Sequence, residues 1–131
     1  MSDKERIIKY WMESADNDFE TMMVMYQSNR FTWSLFIGHL MTEKLLKAFF
    51  TKTKGEYPPY IHNLLRLADL SGLPLTKDRK IDLATITAFN INARYDDYKK
   101  SFYNKCTPEF TKYWVNKITE LRKWLIVQIR K

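Results

Sequence analysis

The sequence predicts an all-α protein: an up-and-down antiparallel bundle of four long helices and one short helix, filling a single domain over residues 1–131. Three observations carry that prediction. Large apolar residues recur at intervals of three and four over long stretches, the period of one helix face. Glycine is scarce, at three in 131 residues, which disfavours a turn-rich β sandwich and favours long helices joined by few loops. Apolar residues make up 45% of the chain, enough for one hydrophobic core.

The first helix is expected over about 3–28. Ser2 and Glu5 stand at capping-box spacing, and Ile8, Trp11, Ala15, Met22 and Tyr26 form one stripe. The acids Glu13, Asp16, Asp18 and Glu20 fall mostly off that stripe, and Gln27-Ser28-Asn29 ends it. The second helix, about 31–53, is apolar nearly all round, from Trp33, Leu35 and Phe36 to Ala48, Phe49 and Phe50. A helix with so little polar face belongs at the centre of the bundle. Gly38 in its middle costs about 1 kcal/mol against alanine and points to close approach of a neighbouring backbone. Gly55 and Pro58-Pro59 close the helix.

A short third helix is expected from near Tyr60, with Leu64, Leu65, Leu67, Ala68 and Leu70, before Ser71-Gly72-Leu73-Pro74 stops it. The fourth, about 77–93, places Ile81, Ala84, Ala88 and Ile91 on one stripe. The stretch from Arg94 to Thr107 has no clear period and mixes aromatic with charged residues. Thr107 then offers an N-cap, and Pro108 sits where a first helical turn tolerates proline. The last helix has the cleanest pattern, with Phe110, Trp114, Ile118, Leu121, Leu125 and Ile129 on one stripe.

The net charge of +7 is unevenly placed. Residues 1–93 hold 12 basic and 11 acidic residues, a net of +1, whereas residues 94–131 hold 10 basic and 4 acidic, a net of +6. Such a field attracts phosphate-bearing partners through counterion release, although a solvated basic helix face would serve solubility alone. No apolar run reaches the roughly 20 residues that cross a bilayer, and no apolar signal segment follows the charged N-terminus. Cys106 is the one cysteine, so no internal disulfide can form, and a cytoplasmic location is expected.

Four ordered pieces resemble the HEPN family of small helical proteins, in the branch associated with nucleotidyltransferases. Trp11, Ala15, Asp18 and Phe19 are similar to its first-helix opening. The run from Phe36 to Ala48, with Glu43-Lys44 and Lys47-Ala48, is similar to its aromatic run into Glu-Lys-x-hydrophobic-Lys-Ala. Pro59-Tyr60-Ile61-His62-Asn63-Leu64 looks like Pro-x-x-His-Asp/Asn-Leu, and Ala93-Arg94-Tyr95 supplies the Arg-Tyr after the fourth helix. The resemblance implies a helical bundle, commonly a homodimer, with a surface for a nucleotide or RNA or for docking a nucleotidyltransferase partner. In one branch, sometimes a toxin, it implies metal-independent ribonuclease activity from an arginine and a histidine that follows it. Here Arg94 is present, but no histidine follows it and the spacer leads to Tyr98, Lys99 and Lys100.

The candidate phosphate-binding residues are therefore Arg94, Tyr95, Lys99, Lys100 and Lys47. Arginine offers a planar fork of donors to phosphate, and interleaved rings can stack bases. Arg94 could equally hold helix-end carbonyls or pair with Asp96 or Asp97. Glu43 and Lys47 stand four apart in the favourable order of a helix ion pair, on a helix expected to be buried, and His39 shares the Glu43 face one turn earlier. These residues form either a polar cleft or an interface strip. His62 is expected to tie its loop to the bundle, and Arg94 with His62 would be the catalytic pair if the chain is a divergent ribonuclease. A purely structural assembly subunit is the remaining alternative. Two histidines without an acidic cluster, and three isolated glycines, predict neither a metal site nor a cofactor.

Overall fold

Helix formation begins at caps written into the sequence. In the computed structural model, which describes residues 1–131, six helices follow in order: α1 (Asp3–Gln27), α2 (Phe31–Lys54), α3 (Leu64–Leu70), α4 (Lys77–Arg94), α5 (Asp96–Lys105) and α6 (Pro108–Arg130). Side chains of Ser2, Asn63, Thr76 and Thr107 accept the backbone N–H three residues on, at the starts of α1, α3, α4 and α6. Gly55 closes α2 in the left-handed conformation (φ 76°), donating its N–H to the Thr51 carbonyl.

The three-residue turn Ser28–Arg30 folds α1 and α2 into an antiparallel pair. Along it, Ser34 Oγ donates to the Met22 carbonyl (2.9 Å), Lys44 Nζ meets Asp18 (2.8 Å), and Lys47 Nζ lies over the Trp11 ring (4.9 Å). Helix α2 packs against every other helix and buries Leu35, Met41, Leu45, Leu46, Ala48, Phe49 and Phe50. Its apolar circumference leads it to the centre, as expected. Helices α4 and α6 also run antiparallel: Asp82 pairs with Lys117 (3.2 Å), and Phe89 packs on Trp114 and Phe110. The α6 stripe of Trp114, Ile118, Leu121, Leu125 and Ile129 is buried along its length.

The structure differs from the sequence reading in four places. The aperiodic stretch after Arg94 contains a further helix, α5, so the bundle has six helices instead of five. Asp96 and Asp97 in its first turn and Lys105 in its last complement the helix dipole, and its one buried side chain, Phe102, packs 5.5 Å from Phe89. Helix α3 starts at Leu64, because Asn63 caps it. The stripe assigned to α4 faces outward: Ile81 is 55% and Ile91 43% exposed, whereas Leu83, Ile86, Phe89 and Ala93 are buried. Docking Phe89 among Phe102, Phe110 and Trp114 sets that rotation. At Gly38 the close neighbours are side chains, with Ile118 Cδ1 at 2.9 Å and Met22 Sδ at 3.0 Å from where a Cβ would stand. No helix is long and apolar enough to cross a membrane.

Candidate functional site

A buried carboxylate organises the first cluster. Glu43, on the fourth turn of α2, is only 5% exposed and needs compensation for its desolvation. Lys47 Nζ, one turn later, lies 3.0 Å from Glu43 Oε2, and His62 Nδ1 lies 2.9 Å from Oε1. Lys47 is itself buried, its ammonium held between the Trp11 and Tyr60 rings at 4.9 and 5.7 Å from their centroids. The lysine expected to face phosphate thus spends its charge inside the protein, on Glu43.

His39, one turn before Glu43, is fully buried, and its Nε2 lies 3.2 Å from the His62 carbonyl and 3.9 Å from Glu43 Oε1. A carbonyl only accepts, so His39 Nε2 carries the proton, and Nδ1 is left without a partner. Burial lowers the His39 pKa below its ordinary 6.5. The hydrogen bond to His62 and the Glu43 charge oppose that shift, while the nearness of the His62 ring and the charge of Arg94 reinforce it. Arg94 therefore lies within electrostatic reach of His39, although it is 55 residues further along the chain.

His62 differs from its neighbours in being open, with a side chain 44% exposed. Tyr60, 88% exposed, packs edge-on against it with ring centroids 5.1 Å apart. The loop between α2 and α3 is pinned to the bundle at both the His62 ring and the His62 carbonyl, the structural tie expected of this residue.

The second cluster surrounds α5. A groove of about 400 Å³ runs between α5 and the start of α2, with Lys99 and Lys100 on its wall, Trp33 and Tyr103 at its sides, and Ala93 and Phe102 inside. Trp33 is 50% and Tyr103 72% exposed, and Trp33 is braced edge-on by Phe36 at 5.9 Å. Lys99 also meets exposed Asp96 at 3.3 Å, whereas Lys100 makes no ion pair. Arg94, the last residue of α4, is exposed next to the groove residue Ala93 and pairs with neither Asp96 nor Asp97. Tyr95, 57% exposed, separates α4 from α5 with its extended backbone.

The structure thus divides the sequence candidates into two groups. His39, Glu43, Lys47 and His62 share one buried-to-open cluster, Lys99 and Lys100 share a basic groove, and Arg94 ends α4 next in the chain to the groove residue Ala93. Trp33 was missed as a site residue because it reads as one more apolar member of α2. Its position in the first turn, ahead of the buried stretch, is the signal that it lies at the rim. Cys106 is buried, and desolvation pushes its thiol up to about 11, so it is unreactive at neutral pH. No three His, Cys, Asp or Glu side chains come together to hold a metal ion.

No curated protein and no solved structure matches the chain. The model of the HEPN domain matches residues 8–129, a span that takes in α2 to α5 whole, nearly all of α1 and α6, and both clusters. This chain, with its central α2 and its Arg-Tyr junction after α4, belongs to the HEPN domain family.

Proposed function

We propose that this HEPN-domain protein is a binding module for RNA or a nucleotide, working as a homodimer or docked to a nucleotidyltransferase partner. The observation that carries this reading is the groove beside α5. It sets two lysines against two exposed aromatic rings over an apolar floor, the pairing of phosphate and base contacts that single-stranded nucleic acid needs. Arg94 and Tyr95 extend that surface from the end of α4.

Fluorescence anisotropy with a labelled single-stranded RNA tests it. Replacing Lys99 and Lys100 together by glutamate is expected to weaken binding by roughly tenfold or more at low salt, with helical circular dichroism unchanged. Equal affinity of the variant and the parent would overturn the reading. Native purification that recovers one stoichiometric protein and no nucleotide would favour the structural-subunit alternative instead.

A second reading, metal-independent RNA cleavage, is favoured by one observation: His62 is held by Glu43 through Nδ1 at 2.9 Å and leaves its ring 44% exposed at the surface. His62 Nε2 takes the proton of a ribose 2′-hydroxyl, and the 2′-oxygen attacks the adjacent phosphorus. The P–O5′ bond breaks, O5′ leaves with a proton from solvent, and His62 returns its own to solvent. The products are a 2′,3′-cyclic phosphate and a 5′-hydroxyl, with Arg94 balancing the charge on the phosphorane. RNA left intact by concentrated protein in chelator would exclude this reading.

A further inference from the structure

We infer that Glu43 is a positioning residue that sets the tautomer of His62, keeping Nε2 as an open proton acceptor at the protein surface. The inference deepens the cleavage reading and rests on it for its functional meaning, but its physical content can be decided without RNA. A neutral imidazole has one donor nitrogen and one acceptor nitrogen, and free in water it exchanges between them. Here Nδ1 lies 2.9 Å from a carboxylate oxygen, which only accepts, so the proton belongs on Nδ1. Nε2 is then the lone-pair nitrogen, on a ring that is 44% exposed.

Three further contacts show that this orientation is held. Lys47 fixes the other carboxylate oxygen at 3.0 Å and is itself pinned over Trp11, so Glu43 cannot swing away without stranding a buried ammonium. The His39 Nε2–H donates to the His62 carbonyl, fixing the backbone from which the ring projects. Tyr60 abuts the ring edge-on and restricts its rotation. A base oriented by a third group, which is itself locked, is the arrangement that general-base chemistry requires. The protein places no serine, threonine or cysteine oxygen or sulfur in hydrogen-bond contact with His62. On the cleavage reading the nucleophile is then the substrate's own hydroxyl, beside the phosphodiester it attacks.

Long-range 1H–15N NMR of the full chain at mildly alkaline pH reads the tautomer directly. The expected result is a protonated Nδ1 and a pyridine-like Nε2 on His62. An Nε2–H tautomer, or rapid averaging of the two, would overturn the inference. Glu43→Gln supplies the comparison, since its amide can turn an N–H toward Nδ1 and drive the proton to Nε2. In that variant, acylation of His62 by diethylpyrocarbonate, followed by mass spectrometry, is expected to fall severalfold. If Glu43→Gln fails to fold, the tautomer of the parent protein still decides the matter. RNA cleavage is then assayed separately. A drop of roughly 10²-fold in cleavage rate with unchanged RNA affinity supports the positioning role. The inferred tautomer in a protein that cuts no RNA would leave the inference standing and sink the cleavage reading alone.

Discussion

At the scale of single residues, the polar cluster on α2 makes stability depend on pH and on each partner of Glu43. His39 is fully buried with its pKa lowered by desolvation, so the fold favours the neutral ring. The unfolded chain takes up that proton near 6.5, whereas the fold resists it until a lower pH. Within that window the unfolded state binds more protons, and stability rises with pH. The contribution is therefore complete above about 6.5 and is lost as the pH falls below it. Urea titrations near pH 7 and near pH 5 are expected to show a smaller difference for His39→Asn than for the parent. An identical difference would mean that His39 does not carry the dependence. Lys47 acts in the opposite sense, as a permanent charge that Glu43 needs. Lys47→Met leaves a buried carboxylate with His62 alone and is expected to cost about 3 kcal/mol, near the low end for breaking a buried pair. The double variant with Glu43→Gln should recover part of that loss, because the stranded charge has gone. These contacts were only half legible in sequence. The spacing of His39, Glu43 and Lys47 puts them on one helix face, but His62 joins them through a loop whose path follows from no periodicity.

At the scale of helices, legibility followed whether the buried side chains of an element form its most regular stripe. Helices α2 and α6 bury long runs, and α1 buries Trp11, Ala15 and Met22 with Ile8 and Tyr26 packed against the core on the same stripe, so all three could be read directly. Helix α5 buries Phe102 alone, and one residue has no period. Helix α4 misled because its alanines and isoleucines repeat neatly on the face that ended up outside, while Leu83, Ile86 and Phe89 bury the larger surface. Two predictions follow from these packings. Phe102→Ala removes the only buried anchor of α5, a loss of about 3 kcal/mol for a core phenylalanine. Hydrogen exchange should report lost protection confined to 96–105, together with weaker RNA binding, while α1, α2 and α6 stay protected. Loss of protection across the whole bundle would instead make α5 part of one cooperative unit. At the centre, Gly38→Ala gains about 1 kcal/mol of helix propensity but drives a methyl to within 2.9 Å of Ile118 Cδ1 and 3.0 Å of Met22 Sδ. Overpacking costs of about 1–3 kcal/mol then outweigh the gain, and the variant is expected to be destabilised. Ile118→Val deletes the clashing methyl, so it should cost less in the Gly38→Ala background than in the parent.

At the scale of the whole molecule, the question is whether the charge gathered after residue 93 acts as a field or as contacts. The net +6 of residues 94–131 is spread over α5 and α6, but only Lys99 and Lys100 line the groove, with Arg94 beside it. A diffuse field speeds encounter and fades with ionic strength, whereas each phosphate seated on a cation releases counterions and adds a fixed increment to the salt slope. For a single strand that increment is about 0.7 per phosphate, so three seated phosphates give a slope of log K against log salt of about −2. A slope nearer −7 would mean that the whole basic third of the chain engages the strand. Stacking separates cleanly from both. Trp33→Ala removes a ring but no charge, and is expected to cost about 1–3 kcal/mol of affinity while leaving the slope unchanged. Replacing Lys99 and Lys100 by glutamate should instead flatten the slope toward the single increment that Arg94 supplies. If Trp33→Ala changed nothing while the lysine variant abolished binding, the groove would be holding phosphates without reading bases. If both left affinity untouched, the strand would have to bind elsewhere on α6, and the aromatic rings around α5 would belong to a protein interface.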